Sequence, residues 1–306
     1  MPANITTAQP LFPGFERRSA LVDDNVRIEA VVGGSGAPLL LLHGHPQTHA
    51  IWHRVAPVLA ERHTVVAADL RGYGDSSKPQ GAADHANYAK RVMAQDQIAL
   101  MRSLGFEHFA VLAHDRGARV AYRLAMDHPE SIDHLVLLDI APTLAMYEQT
   151  SEAFARAYWH WFFLIQPAPL PERLIEADPA AYIRDVMGRR SAGLAPFDPR
   201  ALTEYERCMA LPGAAHGVCE DYRAAAGIDL AHDRADREAC RLLEQPLLAL
   251  WGDQGVVHRC FRPLTDWRRI AREVSGEALP CGHYIPEEAP ERLLEHVVPF
   301  LSGVTQ

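Results

Sequence analysis

Short, wholly apolar runs recur through the first half of the chain and once more after residue 245. Such runs are typical of strands that are covered on both faces, as in a parallel sheet. They occupy residues 38–42, 64–68, 108–113, 134–138 and 246–251. Helical periodicity fills intervals between them, at residues 50–61, 88–104 and 117–128. Strands that alternate with helices predict an α/β fold with a mainly parallel sheet and right-handed crossovers.

The two ends of the chain carry further elements. Residues 17–22 and 26–32 alternate apolar and polar positions, which predicts an N-terminal hairpin. The glycine-rich stretch 33–36 is interpreted as a turn rather than a phosphate-binding loop, because a strand follows it and no Lys-Ser or Lys-Thr pair does. At the other end, residues 289–300 are predicted to form an amphipathic helix.

The alternation of strands and helices stops after Asp139. From residue 142 to residue 232 the sequence is rich in aromatic residues and has a helical pattern, which several prolines interrupt. We interpret this stretch as a helical cap inserted into the sheet domain. The predicted organisation is therefore an α/β core of residues 1–141 and 233–306, with a cap of residues 142–232.

Composition narrows the class of protein. The 306 residues are 48% hydrophobic and 23% charged, as in an ordinary soluble globular protein. The formal net charge of −9 argues against nucleic acid as a partner, and no run is long and apolar enough to predict a membrane span. The five cysteines are widely spaced and the N-terminus lacks a signal-peptide pattern, so we expect free thiols and a cytoplasmic location.

Asp115 occupies a position that is typical of a catalytic nucleophile. It lies between the apolar run 108–113 and a predicted helix, and small residues flank it at Ala113 and Gly117. A strand, a sharp turn and a helix form a nucleophile elbow, and Asp115 stands where a serine would be in the G-x-S-x-G version. The alternative is that Asp115 only caps the helix, since Asp is favoured there.

Two further residues favour the catalytic alternative. Asp139 follows the next apolar run, and His283 follows the expected last strand, so nucleophile, acid and histidine come in the chain order of this kind of triad. Asp253 is an alternative acid, because serine-type relatives of the fold often carry theirs near this later strand. We prefer Asp139.

A carboxylate nucleophile is already ionised at neutral pH, so it needs no base to activate it. It can displace a leaving group from saturated carbon and become an ester, which water activated by His283 would hydrolyse while Asp139 orients the ring. Backbone N–H groups of His45, in the motif HGHP after run 38–42, and of Arg116 are the expected oxyanion hole. No metal or organic cofactor is needed for this chemistry.

At this point the chain resembles a known family. The segments HGHPQTHAIWHRVAPVLA, DLRGYGDS, HDRGARVAYRLAMDHP, YWHWFFLIQPAPLPE and CGHYIPEEAP are similar to those of the haloacetate dehalogenase group of α/β-hydrolases, most closely the fluoroacetate dehalogenases. The resemblance covers nearly all of the core and the cap. It implies hydrolysis of fluoroacetate or chloroacetate to glycolate and halide, a small anionic substrate and, as one alternative, a homodimer.

The resemblance also implies roles for individual residues. Asp115 would be the nucleophile, and Arg116 and Arg119 would bind the substrate carboxylate. The halide would lie against ring N–H and O–H donors of the cap, on His160, Trp161 and Tyr222.

One residue departs from the family and one discriminates within it. His45 stands where the family usually has a bulky aromatic residue, which makes the wall of the pocket more polar. Arg116 stands where haloalkane dehalogenases and epoxide hydrolases usually have Trp, and it suits a charged substrate. An epoxide hydrolase remains the alternative, with Tyr222 and either Tyr158 or Tyr182 as acids, and a ligand sensor without turnover is a third hypothesis.

Overall fold

The protein forms a single eight-stranded sheet with helices on both faces, in a computed structural model that describes residues 11–23, 25–190 and 192–303. In chain order, strands β1 to β8 are Glu16–Asp23, Val26–Gly34, Ala37–Leu42, His63–Ala68, Phe109–His114, Ile132–Leu138, Leu247–Gly252 and Val274–Leu279.

The sheet order is β1-β2-β4-β3-β5-β6-β7-β8. Strand β2 pairs antiparallel with both β1 and β4, and all later neighbours pair in parallel. The predicted α/β class and mainly parallel sheet are confirmed, and each strand predicted with bounds is found to within two residues at either end.

In chain order, helices α1 to α15 are Ala56–Leu59, Lys90–Ser103, Asp115–Asp127, Thr143–Glu148, Glu152–Ala157, Trp159–Leu164, Leu170–Ala177, Pro179–Arg189, Pro199–Met209, Ala214–Ala226, Ile228–Glu238, Val256–Cys260, Pro263–Trp267, Ile285–Glu288 and Pro290–Leu301. Three short 3₁₀ helices are His49–Arg54, Ala86–Tyr88 and Pro129–Ser131. None of the helices in the described ranges has both the length and the apolar character that a bilayer crossing requires.

The prediction of one helix over residues 50–61 is wrong. The structure has a 3₁₀ helix, His49–Arg54, followed by the short α1. Pro57 explains the break, because it lies at the start of α1 and has no N–H to continue the hydrogen-bonding of the preceding turn.

Between β6 and β7 the described residues form eight helices, α4 to α11, and no strand. Helix α11 runs across residue 232, where the sequence analysis ends the cap. The division into core and cap stays a prediction, but the helical character of the stretch agrees with it.

The core lies in two layers, one on each face of the sheet. Strand β3 is central and contributes to both: Leu40 and Leu42 pack in one layer, Leu39 and Leu41 in the other, and all four are fully buried. This explains why the strand is apolar at every position rather than at alternate ones. The carboxyl ends of parallel strands meet at one edge of such a sheet, and ligands bind outside that edge.

Candidate active site

Asp115 begins α3 directly after β5, in a strained backbone conformation. Its φ is +47°, a backbone angle that residues other than glycine rarely adopt. The turn is tight, because a Cβ added to Gly117 would lie 2.3 Å from the carbonyl oxygen of His43. The structure therefore has the sharp strand-to-helix turn that the sequence predicts around Asp115, and Asp115 is the first helical residue rather than the N-cap, which is His114.

The two oxygens of the Asp115 carboxylate have different surroundings. Oδ1 accepts a hydrogen bond from the backbone N–H of His45 at 2.9 Å. Oδ2 lies 3.7 Å from Nε2 of His283. The side chain is only 1% exposed, so Oδ2 is a buried oxygen that faces the imidazole.

His283 and Asp139 are brought together as predicted. Nδ1 of His283 lies 2.5 Å from Oδ2 of Asp139, whose other oxygen accepts from the N–H of Gly252 at 3.0 Å. Asp139 also has a positive φ, of +49°, directly after β6. The alternative acid, Asp253, has an exposed side chain.

The electrostatics favour an ionised Asp115 and a neutral His283. Burial alone would raise the pKa of Asp115, but Arg190, His114 and the arginines on α3 outweigh it and lower the pKa. Burial lowers the pKa of His283 well below its ordinary value, and the charge of Arg190 lowers it further. Burial raises the pKa of Asp139 against the opposing effect of the Gly252 N–H, so burial acts against an ion pair between Asp139 and His283.

The guanidinium of Arg116 is fully buried and already holds a carboxylate. Its Nε and Nη2 donate to the two carboxylate oxygens of Asp221 at 2.8 and 2.9 Å. Its Nη1 has no hydrogen-bond partner among the described residues. The ring of Tyr222 stacks against it, with 4.1 Å from Cζ to the ring centroid. Arg116 thus offers one free donor rather than a whole fork.

Arg119 lies one helical turn further along α3. Its Nη1 donates to the carbonyl oxygen of Ala141 and to Oγ1 of Thr143, at 3.2 and 2.8 Å, and its Nε has no partner among the described residues. No carboxylate in the described ranges forms an ion pair with it. Burial and the nearby charge of Arg116 lower the pKa of Arg119.

Two of the three predicted halide donors have free hydrogens. Nε1 of Trp161 and Oη of Tyr222 are buried and have no hydrogen-bond partner among the described residues. The third, His160, is different, because its Nε2 lies 3.1 Å from Nη1 of Arg190. A guanidinium can only donate, so Nε2 of His160 accepts and the ring proton belongs on Nδ1.

The same region contains a residue that the sequence analysis missed. Arg190 follows α8 and is 7% exposed, and its Nη2 donates to the carbonyl oxygen of His45 at 3.0 Å. Its only signal in the sequence is an ordinary Arg-Arg pair in a helical stretch. His45 also stacks on His160, with ring centroids 5.8 Å apart, and its Nε2 lies 3.0 Å from Oη of Tyr182.

The two predicted oxyanion-hole donors, the N–H groups of His45 and Arg116, have different surroundings. The His45 N–H points at Asp115, as given above. The Arg116 N–H lies in the first turn of α3, where amides have no acceptor within the helix. Within residues 11–23, 25–190 and 192–303, no group of three or more His, Cys, Asp or Glu side chains is arranged to hold a metal ion.

The comparison with family models agrees with this geometry. Residues 37–290 match the model of the alpha/beta hydrolase fold. The sheet order, the elbow and the matched range together place the protein: the chain belongs to the α/β-hydrolase family.

The chain is similar over nearly its whole length to individual members of this family. The chain is 48% identical over 293 residues to a fluoroacetate dehalogenase of Burkholderia sp, covering 95% of each chain. It is 34% identical to a soluble epoxide hydrolase of Corynebacterium sp (strain C12), covering 90% of this chain and 94% of the other. A crystal structure from Nostoc sp PCC 7120, assigned provisionally to the alpha/beta hydrolases, is 53% identical with a TM-score of 0.91 and covers 94% of this chain and 98% of its own.

Proposed function

We propose that the protein is a haloacetate dehalogenase, which hydrolyses 2-haloacetates such as fluoroacetate and chloroacetate to glycolate and halide. One observation carries the proposal: a buried Asp115 carboxylate feels the charges of two buried arginines, Arg116 and Arg119. Among the described residues, Nη1 of Arg116 and Nε of Arg119 have no hydrogen-bond partner. The similarity to a fluoroacetate dehalogenase supports the same reaction.

The first step forms an ester on Asp115. Oδ2 is the attacking oxygen, because Oδ1 is held by the His45 N–H. Oδ2 bonds to the carbon that carries the halogen, the carbon–halogen bond breaks, and the halide leaves with the bonding electron pair. An ionised carboxylate can do this without a base, and its lowered pKa keeps it ionised.

The second step hydrolyses the ester. Nε2 of neutral His283 takes a proton from water, and the oxygen of that water attacks the carboxyl carbon of Asp115. Negative charge develops on Oδ1, which the His45 N–H stabilises. The bond between the carboxyl carbon and Oδ2 then breaks, and glycolate leaves with Oδ2 and the proton from His283, while Asp139 holds the imidazole. Asp115 keeps the oxygen of the water, and its lowered pKa releases the second proton of that water to solvent and restores the carboxylate.

The substrate carboxylate is proposed to bind Arg116 and Arg119. A buried charge without a counter-ion is unfavourable, and Arg119 has no carboxylate paired with it among the described residues. An anionic substrate between Nη1 of Arg116 and Nε of Arg119 would satisfy both donors and compensate this charge.

The departing halide is proposed to lie against the cap. Trp161 and Tyr222 supply the free N–H and O–H groups described above. His160 contributes through Nδ1–H, since its Nε2 accepts from Arg190. Neutral donors suit this role because they stabilise an anion as it forms without adding charge to the ground state.

Halide release tests the proposal. Purified protein should release fluoride from fluoroacetate or chloride from chloroacetate, with one equivalent of glycolate for each halide. An ion-selective electrode and glycolate chromatography measure the two products. Folded protein that releases halide from neither substrate would contradict the proposal, and Asp115→Asn is the matched inactive control.

Epoxide hydrolysis is the second candidate, favoured by the free Oη of Tyr222 and by the Corynebacterium relative. The reaction usually uses two tyrosine acids. Tyr182 already contacts His45, and Oη of Tyr158 lies 3.3 Å from Nδ1 of His283. A panel of epoxides such as styrene oxide, assayed for diol, decides between the two activities.

The remaining expectations from the sequence are part of the proposal. A homodimer would cover the exposed Leu170 and Leu174 of α7, which are 54% and 59% exposed. Light scattering after gel filtration gives the oligomeric state. The cytoplasmic location and the independence of metal and organic cofactors are likewise proposed, and dialysis against a chelator should leave halide release unchanged.

A further inference from the structure

Arg190 touches three parts of the catalytic centre at once. Its Nη2 donates to the carbonyl oxygen of His45 at 3.0 Å, and its Nη1 donates to Nε2 of His160 at 3.1 Å. Its own carbonyl oxygen accepts the backbone N–H of His283 at 3.1 Å. The close approach of that carbonyl relies on Gly282, where an added Cβ would lie 3.0 Å from the Arg190 oxygen.

The guanidinium is held between two aromatic rings. Its Cζ lies 5.4 Å from the ring centroid of Tyr158 and 5.2 Å from that of Tyr284. No carboxylate in the described ranges forms an ion pair with it, and Asp115 is the carboxylate whose charge acts on it most strongly. A buried arginine that is fixed on both faces and at both terminal nitrogens adopts one orientation.

On this geometry we propose that Arg190 is a positioning residue of the catalytic centre, which fixes His45 of the oxyanion hole and His160 of the halide pocket and adds a positive charge that acts on His283. The inference rests on the proposed dehalogenase function. It assigns to the stretch between β6 and β7 a part in ester hydrolysis as well as in halide binding.

The positioning follows from the contacts. The N–H of His45 holds Asp115 while the carbonyl oxygen of the same residue is held by Arg190, so both sides of the residue are fixed. The bond to His160 fixes its tautomer and leaves Nδ1–H as its donor. Lysine, with one point charge, cannot hold both acceptors in this planar arrangement.

The charge acts on His283. The groups that face this imidazole from the surrounding elements are Asp115, Asp139, His114, His45, Arg119, Tyr158, His160, Tyr284 and Arg190. Asp115 and Asp139 lie 3.7 and 2.5 Å from the ring nitrogens, where a carboxylate favours the protonated ring. Of the charged groups that lower the pKa of His283, Arg190 has the largest effect. Removing it raises the pKa of His283, so a larger fraction of the base is protonated in mild acid and ester hydrolysis slows there.

Variants at position 190 test the inference through the pH dependence of kcat with chloroacetate. In Arg190→Met the acidic limb should move to higher pH by about one pH unit, because a positive charge that lowers the pKa of His283 has been removed. In Arg190→Lys the limb should stay in place while kcat falls. Arg189→Met is the matched control, since Arg189 precedes it on α8 and is exposed, and it should behave as wild type.

The outcomes separate this inference from the proposed function. If wild type releases no halide, the proposed function fails, and NMR titration of labelled histidines still tests Arg190 through the pKa of His283. If wild type is active and the acidic limb of Arg190→Met matches it, the inference is overturned. Circular dichroism checks folding, and Arg190→Gln, which keeps a donor but not the charge, replaces Arg190→Met if that variant does not fold and should show the same shift.

Discussion

Arg116 and Arg119 lie one helical turn apart and differ in whether a carboxylate is paired with the guanidinium. Arg116 donates two hydrogen bonds to the carboxylate of Asp221, which also pairs with Lys90. Arg119 donates only to neutral groups among the described residues. Replacing Arg116 would leave the buried Asp221 with one fewer cation and would destabilise the fold. A loss of substrate binding in such a variant could not be distinguished from a loss of stability. Arg119 is therefore the better residue with which to test recognition of the substrate carboxylate.

We predict that Arg119→Met raises KM for chloroacetate by about tenfold or more, because a hydrogen bond to a charged group contributes about 1.5–3 kcal/mol. Steady-state kinetics measures the change, and neutral chloroacetamide is the matched substrate without a carboxylate. An equal rise in KM for both substrates would show that Arg119 acts on the site as a whole instead.

The closeness of the proposed catalytic residues could be predicted from the sequence because each follows a recognisable strand. Asp115 and Asp139 come after apolar runs, and the ends of neighbouring parallel strands must meet. Arg190 could not be predicted in this way, because it comes from a helical stretch whose docking on the sheet leaves no periodic pattern. The acceptor role of Nε2 in His160 depends on Arg190, so the sequence could not predict that role either.

At the scale of elements, the elbow between β5 and α3 holds Asp115, the proposed nucleophile. The helix starts so close to β3 that the Cβ of an alanine at position 117 would lie 2.3 Å from the carbonyl oxygen of His43 and 2.6 Å from that of Leu42. Backbone atoms of a central strand cannot move aside as a flexible side chain can. Glycine at position 117 is thus required by packing, independently of catalysis.

We predict that Gly117→Ala lowers the free energy of unfolding by about 1–3 kcal/mol, the usual cost of overpacking. Urea denaturation measures it. Gly188→Ala on α8 is the matched control, because its nearest neighbour would be Leu194 at 3.7 Å, and an alanine there should stabilise the helix by about 0.5–1 kcal/mol. Equal stability of the Gly117 variant and wild type would contradict the packing account of the elbow.

Every strand predicted with bounds was found, and of the four helices predicted with bounds only the one over residues 50–61 was not. A central strand of a parallel sheet is apolar at every position, as β3 is, and its limits are marked by turns. The helix predicted over residues 50–61 failed because the apolar spacing outweighed the single proline, Pro57, that divides it. Proline deserves more weight than periodicity when the two conflict.

At the scale of the whole molecule, the net charge of −9 and the positive site act over different distances. Surface charges repel an approaching anion over roughly a Debye length, which shortens from about 30 Å at 0.01 M salt to about 8 Å at 0.15 M. The buried arginines act only at contact and are screened much less. We therefore expect slow capture of an anionic substrate but favourable binding once it has reached the site.

It follows that kcat/KM for chloroacetate should rise as ionic strength increases over this range, while kcat/KM for chloroacetamide stays constant. The salt should be sodium sulfate, so that added halide does not compete for the halide pocket. A fall in kcat/KM for chloroacetate with added salt would mean that local positive potential extends to the surface.

The most direct measurement of the central claim uses His283→Asn. This variant keeps Asp115 and its free oxygen but removes the base that hydrolyses the ester. After exposure to chloroacetate, mass spectrometry should find the peptide containing Asp115 heavier by one carboxymethyl group, about 58 Da, with one halide released for each protein molecule. An unmodified peptide together with continued halide turnover would contradict both the ester on Asp115 and the role of His283.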